Sequence, residues 1–314
     1  MSNIKNRFKE NQNLGTIVAL LILICFVSVL NPAFLQVSNL LNLMRQLIIN
    51  GFVALGMTFV ILTGGIDLSV GSTLALSSAI FAGLLQNGTN TILAIIVAIL
   101  LAIILGLING LLITIGKLAP FIVTLATMTI FRGLTLVFMD GRPIAGPRDD
   151  FAFQFLGKGQ VLGIPFQVIL FIIVYIILWM ILNKTSYGRK IFAVGGNEKA
   201  SFISGINIAK SKTFVYVISA LMAVISGLVL TSRLNSAQPT AGSAYEMDAI
   251  AAVVLGGTSM TGGSGSLTGT LIGILILGVL NNGLNLLGVS SFYQQIVKGI
   301  VILIAVLIDR KRNK

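Results

Sequence analysis

From Ile92 to Leu107 the chain carries no polar side chain, and nothing in that run alternates between apolar and polar residues. A half-buried strand, or a strand of a membrane barrel, would show a period of two. The run instead fits a helix immersed in lipid, where every backbone group pairs within its own segment. Crossing about 30 Å of hydrocarbon takes about 20 apolar residues. Stretches of similar character fall at 14–30, 46–63, 69–86, 91–115, 118–138, 165–182, 213–232, 248–262, 266–287 and 292–308. The chain is 56% hydrophobic and 10% charged, against roughly 25% charged in a soluble domain. The expected fold is an all-α polytopic membrane protein with about ten transmembrane helices. The first run follows Lys5, Arg7 and Lys9 as a signal peptide would, but it is long for one. Asn31-Pro32-Ala33-Phe34 is also a poor cleavage site, so the run is read as a retained span.

The net charge of +12 sets orientation rather than a nucleic-acid partner, because the basic residues sit between apolar runs. With the N-terminus in the cytoplasm, the inner segments are 1–13, 64–68, 116–117, 183–212, 263–265 and 309–314. They hold fourteen of the 21 Lys and Arg residues, and the outer loops hold four. Both termini are therefore expected inside. The domain expectation is a tail at 1–13, one membrane domain over 14–308 with a cytoplasmic loop at 183–212, and a tail at 309–314. Arg45, Arg132 and Lys298 fall in or beside spans near the outer interface and are expected to snorkel to it as anchors.

Two glycine-rich stretches interrupt the pattern. Gly64, Gly65, Gly71 and Ser72 recur as Gly256, Gly257, Gly263 and Ser264, at an offset of 192 residues. This reads as an internal repeat with discontinuous helices at both copies, since irregular backbone at membrane depth must be buried in protein or line a cavity. Close helix packing by small residues is the alternative. Asp67 is either a cap for the span that follows or a pathway residue. Ser69, Ser72, Thr258 and Ser259 are the other pathway candidates in or beside these breaks. Asn281, Asn282 and Asn285 join them, because their amides could bond a passing solute's hydroxyls or glue helices together.

The chemistry available is narrow. There is no histidine, which removes the commonest general base and metal ligand, and no metal cluster appears. The single cysteine, Cys25, is expected to be a small buried hydrophobe. Gly116-Lys117 is followed by Leu118 and Gly157-Lys158 by Gly159, so neither completes a phosphate-binding loop. The segment 183–212 is too long for a simple connection. Its residues 197–204 fit a short amphipathic helix with Ala200 and Ile203 on one face, suited to a cytoplasmic partner or to the lipid surface.

Several segments resemble the ribose and branched-chain amino acid permease family of bacterial ABC importers. These are Gly65-Ile66-Asp67-Leu68-Ser69-Val70-Gly71-Ser72, Gly195-Gly196-Asn197-Glu198, Ser204-Gly205-Ile206-Asn207, Ser236-Ala237-Gln238-Pro239-Thr240-Ala241-Gly242, Asp248 through Thr258, and Gly278 through Ser291. The resemblance implies a subunit of the bacterial plasma membrane that translocates ribose or a related sugar. It implies three partners: a second permease copy, a cytoplasmic two-domain ATPase that holds the ATP and magnesium, and an extracellular or periplasmic sugar-binding protein. No cofactor is implied for this chain. Glu198-Lys199-Ala200, with Gly205 beyond, is similar to the family's coupling motif, although Lys199 stands where alanine is usual. Gly195, Gly196 and Asn197 belong to the same expected coupling loop. The rivals are an ion-coupled secondary transporter, which would usually carry several intramembrane carboxylates or histidines, and an intramembrane enzyme, for which no nucleophile and base pair is present.

Overall fold

The structure, a computed structural model, describes residues 14–312. The expected tail at 1–13 and the last two residues of the chain lie outside that range. The helices are α1 (Leu14–Leu30), α2 (Val37–Leu62), α3 (Val70–Gln86), α4 (Thr91–Thr114), α5 (Pro120–Met139), α6 (Phe151–Lys158), α7 (Phe166–Lys184), α8 (Ser186–Gly196), α9 (Glu198–Ile203), α10 (Ile208–Leu234), α11 (Tyr245–Leu255), α12 (Leu267–Leu286) and α13 (Ser291–Arg312). Each expected span has its helix, and six of the helices are long and apolar enough to cross a membrane.

The layering follows from side-chain size. α2 and α10 form the centre, with 78% and 72% of their most apolar windows buried, whereas α4, α5 and α7 bury about a third or less and present the rest outward. On α4, Ala94, Ala98, Ala102, Gly106 and Gly110 form one buried stripe, while Ile92, Ile96, Leu100 and Ile104 are exposed. A Cβ at Gly106 would lie 2.6 Å from the Cα of Val217, so α4 and α10 touch backbone to backbone. Small residues drive such contacts in lipid, where apolar side chains gain nothing by leaving their solvent.

Three details differ from the sequence expectation, while the eighth span breaks off where a discontinuous helix was expected. α2 begins at Val37 rather than near 46, and its first turns carry Asn39, whose amide pairs with Asn282 of α12. The eighth span stops at Leu255, so α11 covers only about 16 Å of a 30 Å core. Cys25 is exposed on α1 beside Leu21, Ile22 and Val29, and is not buried within the chain. The segment 183–212 holds two helices, α8 and α9. α9 is the short helix expected at 197–204, and Ile203 at its end is 84% exposed, open to a partner or to the lipid surface. One end of the bundle carries a small cap built from α6 and two short strand pairs, Ile144–Ala145 with Ser236–Ala237 and Gln160–Val161 with Ile164–Pro165. Asp150 caps α6 by accepting from Phe153 N at 2.9 Å and from Thr91 Oγ1 at 2.6 Å. The Thr91 hydroxyl bond, foremost, holds its carboxyl below the usual carboxylate range.

Candidate functional site

The two glycine breaks are the same helix ending built twice. At the end of α2, Gly64 N donates to Ile61 O and Gly65 N to Val60 O, at 2.8 and 3.1 Å. At the end of α11, Gly257 N donates to Val254 O and Thr258 N to Val253 O, at 2.9 and 3.2 Å. Both are Schellman endings, which need a left-handed residue just past the helix. Gly64 and Gly257 fill that role, with φ of 76° and 86°. Their offset is 193, one residue longer than the 192 that aligns the sequences, so the left-handed residue of the second ending is not the one aligned with Gly64: Gly256 is right-handed.

The breaks meet each other and meet α8. Gly263 N donates to Leu62 O at 3.0 Å. A Cβ on Gly195 would fall 1.8 Å from Leu62 O and 2.5 Å from Gly263 N, and one on Gly262 would fall 2.8 Å from Gly64 N. Three chain segments thus contact through bare backbone at one junction. Gly196, the next residue, has nothing within 4 Å of its Cβ position.

Asp67 lies beside this junction and is buried. Its Oδ1 accepts from Ser69 N at 3.0 Å and Ser69 Oγ at 2.6 Å, and its Oδ2 accepts from Ser219 Oγ at 2.8 Å. The chain of bonds continues from Asn109 Nδ2 to Ser69 Oγ and from Thr127 Oγ1 to Asn109 Oδ1, each 2.8 Å. The helix cap position itself is Ser69. Asp67 sits two residues earlier and turns the backbone as an Asx-turn. Ser72 Oγ bonds back to Ser69 O at 2.8 Å, Ser259 N donates to Ser264 O at 2.9 Å, and Thr258 is buried against Gly265. Asp67, Ser69, Ser72, Thr258 and Ser259 therefore fix the shape of the two endings.

The three asparagines of α12 separate. Asn282 exchanges two amide bonds of 3.0 Å with Asn39 of α2. Asn285 is exposed and accepts from Gln294 Nε2 at 2.8 Å. Asn281 alone lines a cavity of about 450 Å³ at the end of the bundle away from the glycine junction. Asn50, Arg233, Tyr245, Asp248 and Lys298 share that cavity with apolar Leu230, Ile274 and Leu277. Lys298 Nζ lies 2.9 Å from Asp248 Oδ2, which also accepts from Asn50 Nδ2 at 3.2 Å. Lys298, expected as an interface anchor, is thus held by an ion pair inside the protein. The available signal was an acid and a base of opposite sign, each within a separate apolar span. Arg132 likewise holds a loop, donating to Pro239 O and Ala241 O at 2.8 Å, and Arg233 donates to Arg45 O at 3.2 Å.

The α8–α9 segment projects from the other end. Thr185 and Asn197 cap its two helices, and Asn197 Oδ1 accepts from Ala200 N at 3.0 Å. Glu198, Lys199, Ala200 and Gly205 are exposed, and Lys212 Nζ pairs with Glu198 Oε2 at 2.6 Å. Burial raises the Tyr187 hydroxyl above its ordinary value, and that hydroxyl donates to Ser211 O at 2.9 Å, pinning α8 to the start of α10. A groove of about 760 Å³ runs between this segment and the α4–α5 turn, lined by Lys117, Pro120, Glu198, Phe202 and Lys212.

A family model described as "Branched-chain amino acid transport system / permease component" matches residues 39–306. The chain belongs to this permease family of ABC importers. The permease is 62% identical over 302 residues to the ribose import permease protein RbsC of Bacillus subtilis, covering 96% of this chain and 94% of that one. It is 49% identical to RbsC of Escherichia coli K12 over 95% and 94% of the two chains. Its identity to the D-allose transport system permease protein AlsC of the same strain is 41% over 96% and 92%. No solved structure matches it. The permease is thus a multi-pass membrane subunit of an import system, and its family works with ATPase and substrate-binding partners.

Proposed function

We propose that the permease carries ribose, or a closely related sugar, into the bacterial cell, and that ATP is hydrolysed on a separate subunit docked at α8–α9. The observation that carries this is the junction where Gly195 touches both Leu62 and Gly263. A pull on α8 reaches the ends of α2 and α11 through contacts that have no flexible side chain to absorb it. Phe202, 71% exposed, and Ile203 leave an apolar face beside the groove at Glu198, the kind of uncovered patch that marks a protein interface. In this reading the α8–α9 end and both termini face the cytoplasm. Two permease copies share one two-domain ATPase, which holds the ATP and magnesium, and a sugar-binding protein delivers cargo to the opposite face. The motor changes the permease only because it binds the two access states with different affinity.

The ion-coupled rival finds little support: Asp67 is already engaged by three donors. The test is reconstitution of the permease with an ATPase and a sugar-binding protein in vesicles. Ribose uptake that needs internal ATP and survives collapse of ion gradients is expected. Uptake that continues without ATP and stops with the gradient would overturn the proposal.

A further inference from the structure

We infer that the permease holds an anionic phospholipid beside α8, its headgroup between Lys190 and Lys210 and an acyl chain in the groove between α4 and α10. The inference needs α4 and α10 to cross the membrane, as their length and apolar character allow, and needs neither the cargo nor the motor proposed above. A recess of about 240 Å³ is lined by Tyr187, Lys190, Asn207, Lys210, Ser211 and Phe214. It shares Asn207, Lys210 and Phe214 with a groove of about 360 Å³, whose sides include Leu107, Leu111, Ile115 and Val217. The groove follows from the sequence. Residues four apart share a helix face, so Leu107, Leu111 and Ile115 stand in one row, and Lys210 stands one turn from Phe214. Gly110 brings α4 against α10, since a Cβ there would lie 2.7 Å from the Cα of Thr213. The hydroxyls of Thr114 and Thr213 meet at 3.1 Å, so the polar groups of the groove bond to each other.

Charge and apolar surface meet at one place. No carboxylate lines either recess. Glu198 is the one acid between 183 and 212, and Lys212 pairs with it at 2.6 Å. Lys190 and Lys210 are exposed and form no ion pair among the described residues. Tyr187 packs edge-on against Phe214, with ring centroids 5.2 Å apart, at the boundary between the two recesses. Tyrosine favours that level of a membrane. Below it Leu107, Leu111, Ile115 and Phe214 are all exposed. Basic pockets between spans take anionic headgroups. A soluble acidic partner would reach Lys190 and Lys210 but not Leu107, which lies about 12 Å further into the span than Ile115. A molecule with a charged end and a long apolar end fills both recesses.

The test is native mass spectrometry of the full-length permease in mild detergent, titrated with dioleoyl phosphatidylglycerol or dioleoyl phosphatidylcholine. The anionic lipid is expected to bind about tenfold more tightly than the zwitterionic one. Lys190→Gln with Lys210→Gln should weaken the anionic lipid about 30-fold. Lys184→Gln with Arg189→Gln, the same charge loss at the same end, should change it by about twofold or less. Leu111→Trp fills the groove, keeps both lysines and should weaken the lipid about fivefold; it decides the case if the double lysine variant fails to fold. Equal binding of the two lipids, equal losses in the two charge variants, or no loss in Leu111→Trp overturns the inference. Displacement of the lipid by glycerol 3-phosphate at the concentration where phosphatidylglycerol itself competes overturns it too. Lysine variants that keep the lipid but lose the ATPase on co-purification would assign the lysines to a protein partner and overturn it as well.

Discussion

Gly195→Ala adds one methyl group, and Gly196→Ala adds the same group one residue later. At Gly195 the new carbon would lie 1.8 Å from Leu62 O and 2.5 Å from Gly263 N, both backbone atoms. Neither can swing aside, so α8 must move off the junction or the Gly263–Leu62 bond of 3.0 Å must break. Forcing a methyl group into packed structure costs about 1–3 kcal/mol, and a lost buried backbone bond about 1 kcal/mol more. Alanine in a helix returns at most about 1 kcal/mol, and it does so at both positions. The two variants should therefore differ by about 2–4 kcal/mol. In detergent, Gly195→Ala should lower the unfolding midpoint by roughly 5–10 °C and uncouple sugar uptake from ATP hydrolysis, while Gly196→Ala behaves as the parent. Equal behaviour of the pair, in stability and in coupling, would refute the argument that bare backbone contact transmits the movement.

Two further outcomes follow from the buried polar contacts. Asp67→Asn keeps an acceptor toward Ser69 and lets the Ser219 hydroxyl turn to accept, so it should cost about 1 kcal/mol. Asp67→Ala strands both partners and should cost about 2–4 kcal/mol, measured by thermal unfolding. A block of uptake in a stable Asp67→Asn protein would instead make this carboxylate part of the transport step. Asn39→Ala and Asn282→Ala each lose the same reciprocal amide pair, worth about 0.6–2 kcal/mol. Asn39 Nδ2 also donates to Phe34 O at 2.9 Å, so the double variant should be no worse than Asn39→Ala alone, and a fully additive loss would deny the pairing.

The spans were legible because lipid demands long apolar runs, and α4 shows that demand without interruption. The glycine endings were legible as breaks because a Schellman ending needs a left-handed residue just past the helix, where Gly64 and Gly257 stand. That the breaks touch each other and Gly195 was not legible, since glycine records a close approach without naming its partner. The start of α2 was hidden for a related reason. Asn39 interrupts the apolar pattern before 46, but its amide is spent on Asn282, 243 positions away. Of eight pathway candidates the structure brings only Asn281 to the cavity, because polarity within a span signals a bond and not what makes it. The cap around α6 was missed as well: its strands are two residues long and carry no period.

The central claim is that α8 and α9 form a cytoplasmic handle joined to both helix endings. Its most direct measurement is the sidedness of Phe202→Cys in a Cys25→Ser background, using a membrane-impermeant thiol reagent on oriented vesicles. The account predicts labelling from the cytoplasmic face alone, and loss of that labelling when the ATPase is bound. Labelling from the external face would contradict it.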